Sequence, residues 1–359
     1  MKLILMGTGP FALPAFEGIR ARGQDAIKLV VTRPIPVNPS GRPPANPVCD
    51  WANQYALPVY QPGSINDPES VRQLVELSPD LLVVCDYGQI LSGQALSAAR
   101  LGGINLHGSL LPKYRGAAPV QWSVLSGDSV TGVTVIHMTP KLDAGPILEQ
   151  RTLAIGAEET SGELEHRLSQ LGCEPTLKSI EQLRECGSLE QTFRLGAAQD
   201  PDQTSKAPRL SKSDGQLDFR FPAQLIQRQV LGLQPWPGVF GTLRLSEQKS
   251  IRVNLHRTQV IQAAPADGVE HQAGDVVWGE PLRNAIPDWA TPAELAVCCR
   301  EPSGRANWLS IQSLQPAGKR SMSAAEFLRG YGKGLGLRFE APETPSTFLP
   351  KLKKLLHVQ

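Results

Sequence analysis

Between Gly103 and Gly145 the chain reads GINLHGSLLPKYRGAAPVQWSVLSGDSVTGVTVIHMTPKLDAG. Three side chains in this stretch have the chemistry to act together on a carbonyl carbon: the amide of Asn105, the imidazole of His107 and the carboxylate of Asp143. Attack on a carbonyl builds a tetrahedral oxyanion, which an amide and an imidazole can stabilise as donors. An attacking amine must also shed a proton, and a carboxylate or imidazole beside it can accept or steer that proton. Such acyl transfer needs neither a metal nor a nucleophilic serine or cysteine. The same residues also fit a plainer arrangement, a histidine at a strand end with an unrelated acid in a turn.

The elements around them must bring them together. Residues 101–106 are short, apolar and strand-like, and the run stops at His107-Gly108. Asn105 and His107 stand two apart, so an extended strand turns both to one side. Residues 109–116 carry the Pro and Gly of a loop, 117–125 form a short helix candidate, and 131–138 alternate as a second strand. Asp143 follows in a loop closed by Gly145-Pro146. In a parallel α/β sheet the carboxyl ends of the strands share one edge, where sites form. The expectation is that Asn105, His107 and Asp143 converge at that edge.

The whole chain bounds this reading. Its 359 residues suffice for two domains, and 41% hydrophobic residues suit a packed core. A net charge of +2 does not announce a nucleic-acid binder, so any basic footprint is local. Six scattered cysteines (Cys49, Cys85, Cys173, Cys186, Cys298, Cys299) show no CxxC and no metal-type spacing with His. They read as reduced thiols of a cytoplasmic protein with no bound metal. The start, MKLILMGTGPF, is too short an apolar run for a signal-peptide core, and no run approaches a membrane span.

Upstream, 2–6 read as a buried strand, 7–12 as a turn into a helix ending near 22, and 27–32 as a strand. GTGPFA fits the dinucleotide pattern G-x-G-x-x-[GA] formally, but the following strand ends in Arg33-Pro34 where that fingerprint needs an acid. A tight turn at the sheet's top edge explains the glycines as well. Residues 33–47 are Pro-rich and structureless. Then come a helix at 48–55, a short strand at 57–60, an amphipathic helix at 67–77 and a buried strand at 80–85. After Gly145, 147–155 read as a strand, with helices at 160–172 and 174–186. The second helix carries an apolar stripe of Leu177, Ile180 and Leu183. His137 and His166 fall inside these elements, without an acid or nucleophile in a nearby loop, and read as structural. Beyond a polar stretch at 187–213, short strands at 214–219, 239–245, 250–258, 274–278, 296–300 and 307–314, with a helix at 222–233 and Gly/Pro turns, suggest a small barrel.

The motif N-x-H-x-S-L-L-P-x-Y-R-G, followed by a strand and L-D-x-G, resembles the formyltransferases that use 10-formyltetrahydrofolate, and among them the methionyl-tRNA formyltransferases. The resemblance implies that Asn105, His107 and Asp143 are the catalytic trio. It implies that Asp86, Tyr87, Gly88, Gln89 and Ile90, with Ser109, Leu110, Leu111 and Pro112, bind the folate, the first loop largely through its backbone. Asp86 departs from the family there, standing where Ala is usual, and either accepts from the pterin amino groups or points to solvent. The Pro-rich loop lies where a basic loop enters the acceptor end of the tRNA; only Ser40-Gly41-Arg42 echoes the family's motif, which makes Arg42 the candidate contact. The motifs SKAPRLSK, PWPG and LQPAGKRSMSAAEFLRG resemble the family's C-terminal domain.

The implied fold is α/β, a Rossmann-like mostly parallel sheet with helices on both faces, plus a C-terminal OB-like β-barrel. The division expected is a catalytic domain at 1–187, a linker at 188–213, a tRNA-binding barrel at 214–330 and a tail at 331–359. Between 205 and 258 there are nine Lys/Arg against three acids, a local bias that suits phosphate contacts and equally an ordinary solvated surface. Lys206, Arg209 and Lys212 are the candidate tRNA contacts within it. The partners implied are methionyl-initiator tRNA and 10-formyltetrahydrofolate. Three rival readings stand beside this one: a formyltransferase acting on a UDP-amino sugar, whose family shares the same motif; an NAD(P)-dependent oxidoreductase using GTGPFA; and a silent tRNA-binding protein.

Overall fold

A computed structural model of the chain describes residues 1–35, 45–261, 264–265, 268–283, 294–301, 303–332, 336–343 and 347–356. Arg42 lies outside the described residues, as does most of the Pro-rich stretch. The chain divides into two compact units. The first is Met1–Val120, Ser129–Gly156 and Glu163–Arg209, and the second is Gln121–Asp128, Ala157–Gly162 and Leu210–Gln359.

The first unit runs β1 (Lys2–Met6), α1 (Leu13–Arg22), β2 (Ala26–Val31), α2 (Pro47–Gln54), β3 (Val59–Tyr60), α3 (Pro68–Glu76), β4 (Leu81–Val84), α4 (Gly93–Leu96), β5 (Gly103–His107) and β6 (Arg115–Gly116). It continues through α5 (Pro119–Ser126), β7 (Val130–His137), β8 (Ile147–Ala154), α6 (Ser161–Leu171), α7 (Cys173–Arg184), α8 (Leu189–Leu195) and β9 (Lys206–Ala207); α5 and α6 each extend into the second unit. Seven strands form one sheet in the order β3-β2-β1-β4-β5-β7-β8. The pairings from β3 to β5 are parallel, and β5–β7 and β7–β8 are antiparallel. The central strands are buried on both faces, which is why they read as unbroken apolar runs rather than alternating ones. Ile4, Met6, Leu82 and Val84 pack with Leu74 of α3 and Ala95 and Leu96 of α4. Leu3 and Leu5, equally buried, point to the other face by strand alternation. α7 packs on α1, where Cys173 lies so close to Gly18 that any side chain at 18 would strike it. Of the expected stripe on α7, Ile180 and Leu183 are buried and Leu177 is half-buried.

The antiparallel turn at β7 overturns one step of the sequence argument. Ile104 pairs with His137 and His107 with Thr134, so β7 ends beside the start of β5. The carboxyl end of β7 is therefore on the opposite edge from His107. Asp143 reaches the other two residues by a different route: the loop after β7 doubles back over the sheet before β8 begins.

The second unit holds α9 (Ala223–Gly232), β10 (Val239–Ser246), β11 (Lys249–Ile261), β12 (Val276–Trp278), α10 (Glu280–Arg283), β13 (Leu295–Arg300), β14 (Ala306–Pro316), β15 (Met322–Ser323), α11 (Ala324–Tyr331), β16 (Arg338–Phe339) and α12 (Phe348–Leu356). Its sheet runs β12-β13-β14-β11-β10-β16, with β15 on β14. A bridge between Asp275 and Arg338 brings the two ends nearly together, so the antiparallel sheet is a near-closed barrel. Register shifts in β11 at Leu255/Arg257 and Arg257/Thr258 let this long strand bend as closure requires. The expected strand at 214–219 is absent. A 3-10 turn occupies Lys212–Gly215, and Gln216 makes only an isolated bridge to Phe240. The reason is Asp214: wholly buried, its carboxylate accepts from the Ser211 N–H (2.7 Å), Lys351 Nζ (2.6 Å) and Thr347 Oγ1 (2.7 Å), which curls the backbone into a turn.

Candidate active site

Strand β5 delivers Asn105 and His107 to one side of the sheet, and the loop after β7 brings Asp143 against them. Asn105 Nδ2 donates to Asp143 Oδ1 at 3.4 Å, and His107 Nδ1 lies 3.8 Å from Asp143 Oδ2. The same Oδ2 accepts the Gly116 backbone N–H at 2.9 Å. Asp143 adopts a left-handed backbone (φ 48°), and no side chain fits at Gly145, where a Cβ would sit 1.7 Å from the His137 carbonyl oxygen. The sharp turn the sequence marks with Asp and Gly is thus a steric requirement.

His107 is buried, with Nε2 2.9 Å from the Tyr114 carbonyl oxygen. A carbonyl only accepts, so Nε2 carries the hydrogen and donates. In the neutral ring this leaves Nδ1, on the side of Asp143, as the basic nitrogen. Protonation of Nδ1 creates an imidazolium beside a carboxylate. Tyr114 is itself held: its N–H donates to Ser205 Oγ (2.9 Å), and the neighbouring Arg115–Gly116 strand β6 pairs in parallel with β9.

The loop after β5 is braced from below. Thr134 Oγ1 donates to the Ser109 carbonyl (2.6 Å) and accepts the Leu111 N–H (3.1 Å), while Ser109 Oγ donates to the Lys113 carbonyl (2.7 Å). Gln150 Nε2 donates to the Leu111 carbonyl at 2.8 Å. Leu111 and Ser109 are buried, and Leu110 and Pro112 are half-buried. Of these four candidate folate contacts, Ser109 and Leu111 therefore have their polar groups engaged by the scaffold.

The second folate candidate, 86–90, follows β4 one strand away. Its Tyr87 ring is buried, which pushes the phenol up to about 12, and its carbonyl accepts from Thr8 Oγ1 (3.2 Å). Gln89 turns inward, accepting the Ile65 N–H (2.8 Å) and donating to the Gly63 carbonyl (3.3 Å). Gly88 has φ 80° and Ile90 is 59% exposed. Apart from Asp86, the loop therefore offers backbone and one apolar side chain, which fits a ligand held through main-chain groups.

Asp86 (φ 49°) lies against the turn after β1, where a side chain at position 9 would fall 1.9 Å from its Oδ2. That contact, with a Cβ at Gly7 2.8 Å from the Cys85 carbonyl, explains the glycines of GTGPFA by close packing. Asp86 is open to solvent yet ringed by protein. Loss of surrounding water pushes its carboxyl up to about 6, against the pull of the Gly9 N–H and the Arg33 guanidinium. Glu165 on α6, half-buried, is pushed up to about 7, first by burial and then by the charge of Asp86.

A carboxyl with a raised native pKa holds its proton more tightly folded than unfolded. Its stabilising contribution is present below the unfolded value and is lost as pH rises through the native one. Glu165→Gln, which removes the ionisation, is expected to raise unfolding free energy at pH 8 by about 1–2 kcal/mol, allowing for solvent screening. The gain disappears at pH 4, where Glu165 is protonated in the native state. Denaturant melts at the two pH values check this; an equal effect at both would refute it.

Lys206 on β9 and Arg209 are exposed in the first unit, and Lys212 is exposed in the second. Within the basic run of the second unit, Arg220 pairs with Asp218 (2.6 Å), Arg228 donates to the Ser126 carbonyl (3.4 Å) and Arg252 covers the Phe240 ring (3.6 Å). Those three have structural partners, which shrinks the expected phosphate-binding bias. His166 is exposed on α6, and His137 is buried 5.0 Å from the Phe193 ring. None of the six cysteines is in a disulfide, and among the described residues no helix is long and apolar enough to cross a membrane.

Sequence reading missed Gln199. Its Oε1 accepts from Arg115 Nε (3.0 Å) and Nη2 (2.6 Å), and its Nε2 donates to the carbonyls of Asp143 (2.9 Å) and Gly145 (2.8 Å). It lies in a polar stretch without periodicity, so nothing local signals it.

The same layout recurs in known proteins. The formyl transferase family matches residues 1–179, and the formyl transferase C-terminal domain matches 209–332. A methionyl-tRNA formyltransferase of Rhodopirellula baltica is 48% identical over 95% of this chain and 97% of its own length. Two solved structures share the fold at low identity. HypX from Aquifex aeolicus in complex with tetrahydrofolic acid (TM-score 0.55, 14% identical) covers 93% of this chain and 47% of that one. The sugar 3N-formyl transferase WlaRD (TM-score 0.56, 13% identical) covers 89% of this chain and 99% of that one. Near-complete coverage in both directions at nearly half identity, on top of both domain matches, means that the chain belongs to the methionyl-tRNA formyltransferases, a family of formyl transferases with N- and C-terminal domains.

Proposed function

We infer that the chain transfers the formyl group of 10-formyltetrahydrofolate to the α-amino group of methionyl-initiator tRNA, for translation initiation. The observation that carries the chemistry is the convergence of Asn105, His107 and Asp143 on one point of the sheet. The methionyl nitrogen attacks the formyl carbon, and a C–N bond forms as the carbonyl oxygen takes up negative charge. Asn105 donates to that oxygen through its amide. A free α-amine has a pKa of about 8, so at neutral pH it is the neutral fraction, its extra proton already given to solvent, that attacks, and the attack itself releases one proton. His107 Nδ1, kept free by the Nε2–H bond to Tyr114, accepts it. Asp143 steadies the imidazolium. Collapse re-forms the carbonyl and breaks the bond to the folate nitrogen, which takes the proton back from Nδ1.

The folate is assigned to the 86–90 loop, through backbone and Ile90, and to the half-buried Leu110 and Pro112 of the loop after β5. In this reading 1–187 carry the chemistry, and 188–213 join the parts and, through β9 and Gln199, brace the site. Residues 214–330 meet the tRNA, joined by Lys206, Arg209 and Lys212 of 188–213 as phosphate contacts, and 331–359 are the tail. Arg42 completes the tRNA assignment from sequence alone. The disulfide-free cysteines support a cytoplasmic site of action.

The test is a direct comparison. With 10-formyltetrahydrofolate as donor, the purified chain is expected to formylate charged initiator tRNA and to leave a UDP-amino sugar untouched. The reverse outcome would replace this reading with the sugar-formyltransferase one. NADPH titration giving a saturable signal would revive the oxidoreductase reading.

A further inference from the structure

Two hydrogen-bond chains in the first unit start from one short segment. Ser205 Oγ accepts the Tyr114 N–H, and the Tyr114 carbonyl accepts the His107 Nε2–H that fixes which ring nitrogen is basic. Six residues earlier, Gln199 grips the backbone of the Asp143 loop at two carbonyls, 2.9 and 2.8 Å away. Arg115, two atoms of whose guanidinium donate to Gln199 Oε1, fixes the orientation of that amide. With its oxygen occupied by Arg115, the amide can only present its N–H groups to the loop. Arg115 and Gly116 form β6, paired with Lys206–Ala207, and the Gly116 N–H holds the Asp143 carboxylate itself. The segment from 199 to 207 thus frames both catalytic partners, and it falls between the two family matches, which stop at 179 and resume at 209.

We propose that Gln199 is a positioning residue for the formyl-transfer step: oriented by Arg115, it pins the main chain at Asp143 and two residues beyond it, where the turn leaves Asp143, and so sets the carboxylate against His107 and Asn105. The proposal rests on the reading of Asp143 as part of the catalytic trio. The physical case is the backbone of Asp143. A left-handed turn at a non-glycine residue persists only where surrounding contacts over-determine it. Small misplacements of a reacting group cost rate steeply, up to about 10²-fold for a displacement near 1 Å.

Gln199→Glu separates positioning from mere structure. The variant is isosteric and charged, so it keeps and strengthens the bond to Arg115, but a carboxylate cannot donate to the two carbonyls. We expect kcat to fall by about 10- to 100-fold, with KM for 10-formyltetrahydrofolate within about threefold and Tm lowered no more than in Gln199→Ala, the stronger bond to Arg115 offsetting repulsion from the two carbonyls. Gln199→Ala is expected to lose kcat similarly, and Gln199→Asn to recover part of it. If Gln199→Glu keeps the wild-type kcat while folded, the positioning role is wrong. If it loses kcat only in step with Tm, the residue is structural and the role is again wrong. Asp143→Asn, run in parallel, distinguishes the two layers. Full activity of that variant would remove the underlying catalytic reading, whereas its failure beside an active Gln199→Glu would remove only the present proposal.

Discussion

Asn105→Ala is expected to lower the formylation rate by about 10²- to 10³-fold, roughly 3–4 kcal/mol of transition-state stabilisation, while methionyl-tRNA binding stays near wild type. The size follows from what the amide does. Its Nδ2 is held 3.4 Å from Asp143 Oδ1, at the long end of hydrogen-bond range, so little ground-state bonding opposes a turn toward a developing oxyanion. A donor that acts only on charge present in the transition state affects kcat and kcat/KM together and leaves substrate binding alone. Asn105 is only half-buried and its neighbours Ile104 and Leu106 fill the core on either side, so truncation leaves the strand intact. Single-turnover rates with saturating tRNA, alongside a tRNA binding isotherm, separate the two effects. A rate within a few-fold of wild type would strip Asn105 of its role. A phosphate-contact variant such as Lys206→Ala should show the converse, weaker tRNA binding and a salt slope reduced by about one.

Asp143 carries the second large effect. Asp143→Asn keeps size and shape and can still accept the Gly116 N–H, but it removes the charge that offsets a protonated His107. The expected loss in kcat is about 10²- to 10⁴-fold, the range for a residue supporting proton transfer. Asp143→Ala should lose at least as much. It also leaves the Gly116 N–H without its acceptor, which loosens β6 and so the register of Tyr114 and Arg115. The comparison tells charge from scaffolding. Equal losses in both variants mean that charge is what matters, and a nearly active Asp143→Asn means that the carboxylate serves only to hold the turn. Circular dichroism and Tm on each variant guard against an unfolding artefact.

Much of the first unit could be read from local pattern. The apolar runs at β1, β4 and β5 stand out because a strand buried on both faces has no polar side to interrupt it. The helix at Pro68–Glu76 shows itself through an amphipathic period. The pairing of Asn105 with His107 needs only the two-residue repeat of an extended chain. The 3-10 turn at Lys212–Gly215 was missed because its cause is remote: Thr347 and Lys351, more than 130 residues on, supply the partners that make burying Asp214 tolerable. β16 and the bridge that nearly closes the barrel likewise depend on a two-residue strand too short to carry a periodic signal.

By itself the sequence determined which chemistry was at hand, namely an amide, an imidazole and a carboxylate, and that the first two share a strand face. It also marked Asp143 as lying in a constrained turn. The tertiary structure alone decided how the third residue arrives. Strand direction in a sheet is set by pairing between distant segments, and β7 pairs antiparallel with β5, so Asp143 comes back over the sheet instead of standing at a shared carboxyl edge. It alone decided which nitrogen of His107 carries the hydrogen in the neutral ring, because that rests on a carbonyl seven residues away whose position β9 fixes. Gln199, 56 residues beyond Asp143, holds the turn through backbone groups, and a bond to backbone leaves no mark on the residue types it joins.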